Sequence, residues 1–217
     1  MAAPQTQSRL SRFLSKPLHD KLNVLREIKP LLAGKLYYRF VVASFGHRTL
    51  LRKPLRITNP RYIFVGSGVD IAVGCRLEAI VTDPECLPKL IVEDGVYIGQ
   101  NVQIISHCNV TIGKNAGIGP HCFVMDASHP VLDRTDPAPM VHRFSTAESF
   151  LEIGEGALIG AGTFIMPNVR IGKRTVIGAN SVVRKSIPDD CIAYGNPAVV
   201  VLRFDRVEER WIPVPGR

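Results

Sequence analysis

No run of about eighteen apolar residues occurs in the 217-residue chain, so no transmembrane helix is expected. The first fifteen residues are polar and hold no continuous apolar core of a secretory signal, which points to a cytoplasmic protein. Cysteine is sparse: Cys75, Cys86, Cys108, Cys122 and Cys191 show no Cys-x-x-Cys spacing, and their use fits a reducing compartment. Acidic residues are nearly missing from the first 62 positions, where only Asp20 and Glu27 stand against thirteen Lys or Arg. That segment carries +11, leaving about −3 for the rest of a chain whose total is +8. Its basic residues are not interleaved with aromatics on a groove-reading element, and the remainder has no basic stripe. Nucleic acid is therefore not expected as a partner.

Helical periodicity is also missing from the body of the chain. In its place, fifteen six-residue steps, each opened by an aliphatic residue, run from 65 to 188. The most regular stretch opens at Ile153, Ile159, Ile165, Ile171, Ile177 and Val183 without a slip. A period of six matches neither the 3.6 of a helix nor simple strand alternation, and it is the period of a parallel β-helix whose coils are triangular. The fifth place of each step is small and expected to face inward. Cys75, Cys108, Cys122, Val81 and Ser128 all fall there. Gly at the second place suits a corner where the backbone needs dihedrals that a Cβ resists.

This pattern predicts an all-β fold of about five coils, with residues 57–203 forming the β-helix domain. A basic, partly helical segment (1–56) precedes it and a tail (204–217) follows, each expected to cap an open end. From Leu18 to about Phe45 one or two helices are expected, broken near Pro30, with Leu32, Leu36, Phe40 and Ala43 on one face. Such a helix either packs on its own assembly or touches an anionic membrane, which would place the protein at the inner face of the cytoplasmic membrane. The period fails at 83–89, at about Val110-Thr111 and at 129–151, where loops leave the prism. The core of such a prism fills with its own side chains, so chemistry is expected where a loop leaves a coil. Of the six histidines, only His129 sits at the exit of the longest excursion, beside Pro130.

The chain resembles the hexapeptide-repeat acyltransferases, the left-handed β-helix enzymes, and within them the sugar and polysaccharide O-acetyltransferases. The resemblance covers roughly residues 57–203. It rests on the hexads, on Ile112-Gly-Lys-Asn leading to Asp126-Ala-Ser-His129-Pro, and on the closing Ala193-Tyr-Gly-Asn-Pro-Ala198. It implies a homotrimer that transfers an acetyl group from acetyl-CoA to a sugar or saccharide hydroxyl, with His129 as general base and no covalent intermediate. A neutral imidazole, ordinarily titrating near pH 6.5, is suited to that task.

By the same resemblance Asp126 either orients His129 or caps its turn, and His107, Asn101 and His142 contact the acceptor, with Asp133 and Arg134 as further loop contacts. Gly160, Ala161, Gly178 and Ala179 would let the pantetheine arm approach the backbone. Arg184 and Lys185 match a basic pair near the CoA phosphates, with Lys173 and Arg174 as weaker candidates. The chain departs from many relatives in having Leu158 where they carry Trp and Val199 where they carry a basic residue.

Three other readings stand beside this one. An N-acetyltransferase acting on an amino sugar would use the same base. A trimeric zinc enzyme of the γ-carbonic-anhydrase type would draw on His107, His121 and His129, but the close His pair of that family is missing. A non-catalytic scaffold would have no use for the His-Pro exit and its arm. No metal ligands are assigned.

Overall fold

The computed structural model describes residues 15–82, 84, 86–131, 135, 137–140, 143–144 and 149–214, apart from the side chains of Val24 and Glu27. The chain winds as a left-handed parallel β-helix with three faces. The first face stacks Ser44–Phe45, Ile63–Val65, Lys89–Val92, Asn109–Ile112, Phe150–Ile153 and Val169–Ile171. The second runs from Leu50–Leu51 through Asp70–Ile71, Tyr97–Ile98, Gly117–Ile118 and Leu158–Ile159 to Val176–Ile177 and Cys191–Gly195. The third stacks Arg56–Thr58, Arg76–Ala79, Gln103–Ser106, Phe123–Met125, Phe164–Ile165 and Val182–Val183.

Six coils are present, one more than expected, because the β-helix begins at Ser44 rather than at 57. Phe45, Leu51 and Ile57 continue the period of six and lie in register with Val65, Ile71 and Leu77. Basic residues and Pro54 around them obscure the pattern. At the other end, 204–213 is not a tail. Ala198–Asp205 pairs antiparallel with Cys191–Gly195, and Arg210–Pro213 pairs with it in turn. This hairpin occupies the sheet edge that the last coil would leave unpaired. Asp190 ties it down by bonding both Arg174 and Arg206, and those guanidiniums hold its carboxyl down at about 2, Arg174 contributing most.

The opening aliphatic of each hexad is buried: Ile98, Ile104, Ile112, Ile118, Ile153, Ile159 and Ile165 have no exposed surface. At the fifth place, small side chains that carry O–H or S–H donate to carbonyls of the neighbouring corner. Cys75 Sγ bonds Gly99 O and Cys122 Sγ bonds Gly160 O, each at 3.1 Å, while Thr175 Oγ1 bonds Pro188 O at 2.6 Å. A buried donor is satisfied in each case, and burial pushes the Cys75 and Cys122 thiols up. Two fifth-place expectations fail. Val81 and Ser128 are exposed, because both lie just past the point where the chain leaves the third face.

The glycines divide differently from the sequence expectation. The left-handed dihedrals belong to the fourth place, as at Gly156 (φ +66°), Asn115, His121, Arg174 and Asn180. Glycine at the second place serves close approach. A Cβ on Gly160 would lie 2.4 Å from the backbone nitrogen of Ala179 in the next coil. Gly160→Ala is therefore expected to cost about 1–3 kcal/mol through backbone displacement, seen as a lower Tm; an unchanged Tm would remove this account of the repeat.

The N-terminal helix α1 spans Leu18–Ala33 and passes through Pro30 without ending there. It continues as a π-helical segment, Gly34–Tyr38, and a last turn, Arg39–Val41. Gly34 is the buried contact: a Cβ there would meet the Phe45 ring at 2.8 Å. No helix among the described residues is long and apolar enough to cross a membrane.

Candidate functional site

Every step that exceeds six residues lies at one edge of the prism, between the third face and the first. The chain leaves the third face there after Ala79, after Ser106 and after Met125, so the interruptions are stacked in space; the second lies at His107-Cys108 rather than at Val110-Thr111, which belong to the strand Asn109–Ile112. The other two edges carry no insertion among the described residues.

Asp126 closes this edge from within. Its carboxylate is fully buried and accepts the backbone N–H of His107 at 2.7 Å and of Cys108 at 2.8 Å, with Ser106 Oγ at 3.4 Å. Those two amides belong to the two-residue insertion one coil earlier, which removes them from the sheet ladder. Asp126 thus secures the corner that carries His107, and no hydrogen bond joins it to His129. Its partners lie one coil earlier, not in the turn that carries His129.

His107 is buried at 1% exposure, and its Nδ1 has no hydrogen-bond partner among the described residues. Its ring stacks on Phe144, with centroids 4.6 Å apart. His129, exposed, packs on Phe144 at 4.7 Å. One phenyl ring therefore spaces the two imidazoles. Desolvation lowers the pKa of His107, the nearby Asp126 carboxylate opposes that shift, and His129 adds to it. His129 Nδ1 lies 2.8 Å from the carbonyl oxygen of Arg143. A carbonyl only accepts, so Nδ1 donates, and in the neutral ring Nε2 carries the lone pair. Phe144 was not singled out in the sequence; the available signal was a lone aromatic within a polar, proline-rich excursion.

The remaining candidates are placed as follows. Asn101 is exposed in a left-handed turn between the second and third faces, away from the edge that holds His107 and His129. His121 occupies the equivalent turn one coil on, so within one chain it lies apart from His107 and His129. Among the described residues, no group of three or more His, Cys, Asp or Glu is arranged to hold a metal. His142, Asp133 and Arg134 lie outside the described residues.

Gly160, Ala161, Gly178 and Ala179 line the edge between the second and third faces. Stacking already accounts for the small size of Gly160 and Gly178, since a Cβ on Gly178 would lie 2.7 Å from the Tyr194 side chain. Ala161 is half-buried and Ala179 exposed. Arg184 and Lys185 follow Val182–Val183 at the loop-bearing edge, exposed and without a side-chain ion pair or hydrogen bond among the described residues. Lys173 and Arg174, by contrast, are engaged by Glu155 and Asp190. The third face, with Phe123 and Phe164 stacked 4.6 Å apart, separates the two sets of candidates.

Beside Asp126, the Cys108 and Cys86 sulfurs approach to 2.6 Å. Burial, reinforced by Cys86, pushes the Cys108 thiol up to about 12. At about pH 8 it stays protonated and should resist iodoacetamide in the folded protein while reacting in denaturant. Peptide mapping of the two samples checks this; equal labelling would contradict it. Asp126→Ala is expected to cost roughly 1–3 kcal/mol for each amide left without a partner, read from denaturant unfolding.

Comparison with known proteins agrees with this architecture. The family described as bacterial transferase hexapeptide (six repeats) matches residues 151–185. The putative lipopolysaccharide biosynthesis O-acetyl transferase WbbJ of Escherichia coli K12 is 28% identical over 191 residues, covering 86% of this chain and 91% of that one. A galactoside O-acetyltransferase of Lactococcus lactis is 34% identical over 106 residues, covering 49% of each chain, so the match spans about half of that relative. Among solved structures, the N-acyltransferase AntD of Bacillus cereus, in complex with dTDP and 3-hydroxybutyryl-CoA, superposes with a TM-score of 0.62. It is 23% identical and covers 75% of this chain and 84% of that one, a likeness of fold. With its stacked hexads, the matched repeat and these relatives, the chain is similar to the hexapeptide-repeat acyltransferases.

Proposed function

We propose that this protein transfers an acetyl group from acetyl-CoA to a hydroxyl of a saccharide, in the assembly of a surface polysaccharide or lipopolysaccharide, as a homotrimer. The observation that carries the reading is the His129 tautomer. The Arg143 carbonyl holds the proton on Nδ1, so Nε2 presents a lone pair at the mouth of the longest excursion. A relative named for O-acetyl transfer in lipopolysaccharide biosynthesis and another named as a putative colanic acid biosynthesis acetyltransferase support the saccharide acceptor.

In this mechanism Nε2 takes the proton of the acceptor hydroxyl as its oxygen attacks the thioester carbon. The tetrahedral oxyanion is stabilised by backbone N–H groups of the cleft. The carbon–sulfur bond then breaks, and the imidazolium returns its proton to the leaving CoA thiolate. Arg184 and Lys185 offer the phosphates of CoA two cations that have no side-chain partner among the described residues. Phe144 sets the spacing of His129 from His107, whose neutral ring faces the same corner.

The test is thiol release from acetyl-CoA across a panel of sugars, nucleotide sugars, amino sugars and oligosaccharides. His129→Ala should lower kcat by about 10²–10⁴-fold with its fold intact. Retention of activity within tenfold would dismiss His129 as the base. Turnover confined to amino sugars would assign N-acyl transfer instead.

A further inference from the structure

We infer that the outward face of α1 and its continuation is a docking surface for an anionic phospholipid bilayer. The inference does not depend on which reaction the His129 site performs.

The helix lies on the β-helix by its small side, where Gly34 is buried against Phe45, and turns its large apolar side chains away. Leu18, Leu22, Leu25, Leu32, Leu36 and Phe40 recur at helical spacing and are 48–75% exposed. Burying these side chains against the prism would be the ordinary outcome for an amphipathic helix. Here the apolar stripe has no covering element among the described residues.

The charge around that stripe identifies its partner. Between residues 15 and 53 there are nine Lys or Arg, against Asp20 and Glu27. A groove of about 730 Å³ on one flank is lined by Ile28, Leu31, Leu32, Lys35, Arg39 and Arg48. On the other flank a groove of about 770 Å³ combines Leu22, Leu25, Arg26, Lys29, Arg52 and Lys53. Each groove sets leucine side chains beside cations, the arrangement that takes acyl chains and phosphate headgroups together. Association of this face with its own copy would oppose like charges, with only Asp20 and Glu27 of the segment to offset its cations. An anionic lipid surface neutralises them and covers the leucines at once.

The full chain is tested by co-sedimentation with vesicles of phosphatidylcholine, alone or with about 30% phosphatidylglycerol, at low and high salt. Binding to the anionic vesicles is expected to exceed binding to neutral ones by at least about tenfold and to weaken in high salt. Leu36→Ser with Phe40→Ser should abolish it, as should Lys35→Glu with Arg39→Glu, with melting curves showing that each variant remains folded. Equal binding to both vesicle types, or none, overturns the proposal. Sedimentation equilibrium supplies the competing outcome: an oligomer that dissociates in the Leu36→Ser, Phe40→Ser variant would assign the face to a second copy. Because vesicle binding is read without acetyl-CoA, its failure and a failure of acetyl transfer are separate results.

Discussion

The structure depends on the direct stacking of one corner on the next. Gly119 N donates to Ile159 O, Gly160 N to Ile177 O and Gly178 N to Ala193 O, at 2.7–2.8 Å. At these points a methyl group would collide with main-chain or first side-chain atoms of the following coil. Two edges of the prism are therefore continuous columns in which an added residue would break both the hydrogen-bond register and the inward placement of the aliphatics. Only the edge between the third and first faces lets the chain leave and return. Every excursion is there, and so are His107, Asp126 and His129.

That confinement converts breaks far apart in the chain into one surface. The His107-Cys108 insertion pulls two amides out of the ladder, and the Asp126 carboxylate from the next coil satisfies both. The same carboxylate sits at the root of the long arm that returns Arg143 and Phe144 to His129. A buried acidic side chain thus has a structural task at the base of the candidate site, and the proposed mechanism assigns the chemistry to an exposed imidazole beside a backbone carbonyl. Arg184 and Lys185, without an ion pair among the described residues, share this edge two coils further on, whereas Lys173 and Arg174, on a stacked corner, are engaged by Glu155 and Asp190.

Much of this was legible because the period of six is a property of the chain. Ile153 to Val183 announced their coils without ambiguity, and the His129-Pro130 exit stood out by its position. Less regular elements were lost for identifiable reasons. Phe45, Leu51 and Ile57 obey the period but sit among basic residues and prolines, so the first coil was read as appendage. Val81 and Ser128 fit the count, yet the chain has already turned away from the core when it reaches them. Phe144 has no spacing to betray it, since its role depends on where a long loop returns. For α1, the leucine pattern showed an amphipathic helix, but pattern alone does not say which face a helix turns to its neighbour.

The sequence by itself determined the coil, the inward aliphatics and the positions of the interruptions, because each follows from local spacing and from side-chain size against a fixed backbone repeat. Only the tertiary structure decided that the interruptions share one edge, that Asp126 holds the His107 corner, that Phe144 bridges two imidazoles, and that α1 turns its leucines outward. Those are relations between residues many positions apart, set by coil stacking and by loop return, and a six-residue period carries no record of either.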